Sequence, residues 1–166
     1  MKPCPHPMEA LLPHARPMIL LDEVVGRDEA RLVAALTVRA RAPFFEPGRG
    51  MAAHVAIEWM AQACGAFVGA EALESGGVVR LGLLLGTRSF SSSISWFPEG
   101  ARVEVSATLD YRDGEMGVFD CTATLRGPEV DGPEGDGQEA ASAQLTVYQP
   151  ADAGALLASQ GVKITS

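Results

Sequence analysis

Between Met51 and Ala70 the chain reads MAAHVAIEWMAQACGAFVGA, a stretch interrupted by only three polar side chains, His54, Glu58 and Gln62. A helix on a protein surface carries one apolar stripe and a polar back. A helix of this sequence has no such back and must be covered on all sides, and its alanines and glycines let neighbouring strands approach closely. The rest of the chain reads as strands. Met18–Val25 and Arg31–Arg41 are joined by a turn at Gly26–Glu29, and the second strand alternates polar and apolar residues. Val78–Trp96 is expected as one long or bent strand. Ala101–Arg112 and Glu115–Arg126 form a hairpin across Asp113-Gly114, and Glu139–Tyr148 is the last strand. Glu9–Leu12 is a helical turn ended by Pro13, and Ser75-Gly76-Gly77 stops the long helix. The expected fold class is α+β: about six hairpin-linked, hence antiparallel, strands wrapped around one long central helix. The domain spans residues 9–150, with 1–8 as an N-terminal extension and 151–166 as a C-terminal tail.

Charge and composition narrow the function. Lysine plus arginine total 13 against 21 for aspartate plus glutamate, a net charge of −8. No cluster of cations marks a phosphate-binding surface, so nucleic acid is excluded as the expected partner. A bilayer span needs about 20 apolar residues. His54, Glu58 and Gln62 interrupt the one candidate, so no membrane insertion is expected. Cys4, Cys64 and Cys121 are far apart and form no ligand spacing, which points to no metal, no disulfide framework and a reducing cytoplasm. The acidic segment Pro128–Gln138, rich in glycine and proline, reads as a solvated loop.

His54, Glu58 and Gln62 are spaced i, i+4, i+8 and share one face of an α-helix. Polar groups on a buried helix need partners or a wet cavity. A pocket along that face and a polar network at a dimer interface both satisfy the pattern.

These residues carry a family resemblance. Pro43-Phe44-Phe45 followed by Ile57-Glu58-Trp59-Met60-Ala61-Gln62 resembles the core of the hotdog-fold 3-hydroxyacyl-acyl-carrier-protein dehydratases. Leu11-Leu12-Pro13-His14 and Met18-Ile19-Leu20-Leu21-Asp22 are similar to that family's N-terminal signature. Gly86-Thr87-Arg88 and Phe97-Pro98-Glu99-Gly100 are similar to a divergent branch found in aryl polyene biosynthesis clusters. The resemblance covers about residues 10–148. It implies a hotdog fold, a dimer with active sites at the subunit interface, and dehydration of a 3-hydroxyacyl thioester without a metal or redox cofactor.

Such a reaction needs a base for the proton next to the carbonyl, an acid for the departing hydroxyl and a group to hold the enolate-like oxygen. The resemblance makes Glu58 the acid, and burial is expected to raise its pKa. Gln62 is expected to orient Glu58, and the helix N-terminus around Ala53 to face the thioester oxygen. The family's base, a histidine in the loop before the helix, has no counterpart in Glu46-Pro47-Gly48-Arg49-Gly50. His54 is the nearest histidine and the candidate replacement. Arg88 is a candidate for the phosphopantetheine phosphate or for structural pairing. His14 is expected to brace the chain, with Asp22 as its partner.

The expected partner is an acyl thioester on acyl carrier protein or coenzyme A. Arg39, Arg41, Arg49 and Arg88 are candidates for a basic rim that meets an acidic carrier. A homodimer and a heterodimer with another hotdog subunit both fit. Two further readings stay open: a half-site or acyl-binding subunit that completes a partner's active site, and a thioesterase, in which the helix carboxylate activates water.

Overall fold

The computed structural model describes residues 1–14, 16–80, 82–126 and 137–149. Most of the loop expected at Pro128–Gln138 and the tail lie outside them. The order of elements is α1 (Met8–Leu11), β1 (Glu23–Arg27), β2 (Arg31–Thr37), β3 (Phe45–Glu46), β4 (Gly50–Ala52), α2 (Ala56–Glu74), β5 (Leu83–Ser92), β6 (Trp96–Phe97), β7 (Arg102–Asp113), β8 (Met116–Arg126) and β9 (Gln138–Tyr148). Six strands form one antiparallel sheet in the order β1-β2-β7-β8-β9-β5. The sheet packs on α2, the expected hotdog arrangement. A small second sheet, β3-β4-β6, lies at the start of the helix.

The small residues of α2 are used as the sequence implies. A Cβ on Gly69 would stand 2.1 Å from the carbonyl oxygen of Leu11, and one on Gly65 would stand 3.1 Å from the Leu12 side chain. The chain segment around α1 therefore lies directly on the helix. Trp59, Phe67 and Met60 are fully buried, with Trp59 edge-on to Phe97 at 4.9 Å between centroids. The helix ends where expected. The Gly76 N–H donates to Leu73 O and the Gly77 N–H to Ala72 O, with Gly76 at φ 76°, a left-handed conformation that glycine adopts without strain. Among the described residues, no helix is long and apolar enough to cross a membrane.

Three boundaries differ from the sequence reading, each for a local reason. The strand expected at Met18–Val25 begins only at Glu23, because the backbone of Met18 and Leu20 is bonded to the Gln62 side chain instead of to a neighbouring strand. The long helix begins at Ala56, since Gly50–Ala52 pairs in the small sheet and Ala53–Val55 forms one 3₁₀ turn. Val78–Trp96 is divided between the two sheets, with β5 in the large one and β6 in the small one. The Asp113-Gly114 hairpin stands, with Asp113 opposite Met116 and Gly114 at φ 59°.

The two edges of the large sheet are treated differently. At β1, Lys2 bridges to Arg27. At β5, Leu84 and Leu85 are exposed at 42% and 57%, and the strand carries two register shifts.

Candidate active site

The site starts from Gln62. This side chain is buried and its amide is shared three ways. Oε1 accepts the Leu20 N–H at 2.8 Å, while Nε2 donates to Met18 O at 2.7 Å and to Glu58 Oε1 at 3.3 Å. A primary amide has two N–H donors, and both are engaged here, so the amide's orientation is fixed. Glu58, one turn earlier and half-buried, is held by this contact on the wall of a cavity of about 220 Å³. Leu12, Pro13 and Leu84 supply apolar wall, and His14 and Arg80 also border it. A carboxyl group in this setting, steadied by an amide and facing an apolar-walled space, is equipped to exchange a proton with a bound hydroxyl.

Of the expected polar stripe, Glu58 and Gln62 come together and His54 stands apart. His54 is exposed and does not border the cavity. The i, i+4 relation holds only along an α-helix, with 3.6 residues per turn. His54 sits in the 3₁₀ turn, where three residues complete a turn and the side chain is rotated off the stripe. Ala53 is also reassigned, because its N–H donates to Ser95 O at 2.9 Å and is not free to face a thioester oxygen.

The family model of the ApeP-like proteins, the ApeP dehydratases, matches residues 6–158. The chain belongs to the ApeP-like family. It is a hotdog-fold dehydratase of the kind that acts on acyl thioesters in aryl polyene and fatty-acid biosynthesis. Among solved structures, the ApeP-like chain is similar to one in the dehydratase heterocomplex ApeI:P from Xenorhabdus doucetiae. The identity is 27% over 87% of this chain and 91% of that one, with a TM-score of 0.77. A hypothetical thioesterase with coenzyme A from Streptococcus pneumoniae TIGR4 shares the fold at 12% identity, covering 77% and 84% of the two chains, TM-score 0.57. The E. coli PaaI protein from a phenylacetic acid degradation operon does so at 12% identity, covering 75% and 80%, TM-score 0.54. No curated protein matches the sequence.

The arginines of the ApeP-like chain are distributed differently from the expected rim. Arg88 is exposed on β5 opposite Gln144 and does not border the Glu58 cavity. Arg80 takes that place. Arg39 and Arg41 line a second cavity of about 290 Å³ together with Arg16, and Arg49 stacks over the Trp96 ring at 5.3 Å. His14 borders the cavity, and Asp22, its expected partner, instead accepts the Thr37 N–H and pairs with Arg39, both at 2.9 Å. Sequence reasoning missed Arg80. It follows the Gly76-Gly77 turn, and only the reversal of the chain there returns it to the face that carries Glu58.

Proposed function

We propose that Glu58 is the general acid in the dehydration of a 3-hydroxyacyl thioester on acyl carrier protein, and that a second hotdog subunit supplies the base. In this reading the base takes the proton from C2 and the C3–O bond breaks. The Glu58 carboxyl protonates the leaving hydroxyl, which departs as water, and the C2–H electrons form the C2–C3 double bond. Gln62 is a positioning residue that keeps the Glu58 carboxyl on the cavity wall.

The observation that carries the reading is the Glu58–Gln62 contact on a cavity bordered by Leu84 of β5. Strand β5 is the exposed edge of the large sheet, and an unpaired edge with exposed leucines is a template for strand pairing. A hotdog subunit paired there would lie beside the Glu58 cavity. The ApeI:P structure is a heterocomplex, which favours a second, different subunit over a second copy. The missing histidine in Glu46–Gly50 favours the same division of labour.

The test is to assay the chain alone and with an ApeI-type partner on 3-hydroxyacyl carrier protein. The reading expects an inert chain and an active pair, with activity lost in the pair carrying Glu58→Gln. Full activity of the chain alone removes the partner-supplied base.

A further inference from the structure

Gln62 borders the Glu58 cavity, and Leu20, whose N–H it accepts, borders a second cavity of about 290 Å³. Among the described residues, none borders both spaces. The inner wall of the second is Ile19, Leu20, Leu36, Met51 and Trp59, all buried. Arg16, Arg39 and Arg41 also border it, with Asp22 as the one acid among the described residues. In a chain of net charge −8, this is a local excess of positive charge beside apolar surface.

The ion pairs around the cavity leave one cation over. Arg39 Nη1 stands 2.9 Å from Asp22 Oδ2, and Arg16 Nη2 stands 3.0 Å from Glu9 Oε1. Arg16 is fixed further by Nη1, which donates to Ile19 O at 2.8 Å. Arg41 is exposed and has no ion-pair partner among the described residues. A concave, mostly apolar space with a few placed polar groups is the usual form of a small-molecule site, and such sites start at roughly 300 Å³.

We propose that this cavity binds a small monocarboxylate with an apolar body, the carboxylate on Arg41 and the body against Leu36 and Trp59. A guanidinium gives a carboxylate two parallel N–H donors. One uncompensated cation matches one negative charge, so a dianionic phosphate would leave a charge unmatched. A neutral molecule would leave Arg41 unused. The inner wall rewards the burial of methylene or ring surface, and the volume limits that body to a short one. The inference does not depend on the dehydratase reading, which assigns its chemistry to the other cavity.

The test is calorimetric titration of the full chain with octanoate, octan-1-ol and acetate. Octanoate is expected to bind at one site, with octan-1-ol and acetate each weaker by about tenfold or more, since one lacks the charge and the other the body. Arg41→Gln changes an exposed side chain and is expected to weaken octanoate about fivefold or more without changing octan-1-ol. Ala42→Phe, on a half-buried bordering residue, is expected to abolish binding of both. If Ala42→Phe loses its melting transition, Arg41→Glu takes its place, with octanoate binding lost and octan-1-ol binding kept. Trp59 is the only tryptophan left in Trp96→Phe, and its emission is expected to shift with saturating octanoate. Absence of octanoate binding, binding unchanged in the folded variants, or binding that leaves the Trp59 emission unmoved overturns the inference.

Discussion

Gln62 Nε2 lies 3.3 Å from Glu58 Oε1 while the same amide holds the backbone of Met18 and Leu20. One side chain thus ties the proposed acid to the segment that enters the sheet. The link between folding and function runs through this residue, and it separates two effects that single substitutions usually mix.

Removing the amide by Gln62→Ala leaves the buried Leu20 N–H without its partner, and the part-buried Met18 carbonyl as well. An unsatisfied buried polar group costs about 1–3 kcal/mol. The expected outcome is a lower midpoint in chemical denaturation together with a fall in kcat. Gln62→Glu keeps an acceptor for Leu20 but sets a buried carboxyl against the Met18 carbonyl and the Glu58 carboxyl, so it is expected to be no more stable than Gln62→Ala.

Glu58→Gln keeps the shape of the acid and removes its proton chemistry. General acid catalysis contributes about 10²–10⁴-fold, and kcat is expected to fall by ~100-fold or more with the melting temperature nearly unchanged. A variant with full turnover and unchanged stability would remove Glu58 from the mechanism.

The two histidines near the site are expected to respond differently. His14 borders the cavity, whereas His54 is exposed outside it. His14→Ala is expected to raise KM or lower kcat in the complex, and His54→Ala to leave both within about twofold, the scale of a surface change away from the site. Steady-state kinetics of both variants on one carrier-protein substrate decides it; a larger loss in His54→Ala contradicts the placement.

Gly69 lies on the same face of α2 as Glu58 and Gln62, about three turns further along, where the helix meets the Leu11 backbone. A Cβ there meets the Leu11 carbonyl at 2.1 Å, a contact that backbone must move to relieve. Gly69→Ala is expected to destabilise by about 1–3 kcal/mol, the range for overpacked cores, despite alanine's better helix propensity. Thermal denaturation that shows a stabilised variant contradicts this packing.

The thiols give a check on the core that involves no catalysis. Cys64 and Cys121 are buried with their sulfurs 3.6 Å apart. Burial, followed by the hydrogen bond between the Cys64 and Cys121 thiols, pushes the Cys64 thiol well above its usual range. A group with a raised pKa stays protonated at neutral pH and is a poor nucleophile. Iodoacetamide is expected to label Cys4 in the native protein and to reach Cys64 and Cys121 only after denaturation, as read by peptide mass spectrometry.

Much of this was legible in the sequence. The all-round apolar helix with small residues required a wrapping sheet, and Asp113-Gly114 located a hairpin that the structure contains. Glu58 and Gln62 were legible as a pair because they lie within regular α-helix. His54 was not, since a single 3₁₀ turn shifts its phase and no residue signals where that turn ends. The Ala53 N–H shows a related effect: it has no partner within its own 3₁₀ turn, but the fold brings up the carbonyl of Ser95, just before β6, to accept it. The bonds of Gln62 to residues 42 and 44 positions earlier, and the return of Arg80 to the Glu58 cavity, are tertiary events that local periodicity does not encode.

The most direct test of the account is mass spectrometry of 3-hydroxyacyl carrier protein incubated with the heterocomplex, run beside the complex carrying Glu58→Gln. The account predicts the loss of one water from the acyl group with the unaltered complex and none above background with the variant. Equal conversion by both, or release of free acid in place of the enoyl thioester, contradicts it.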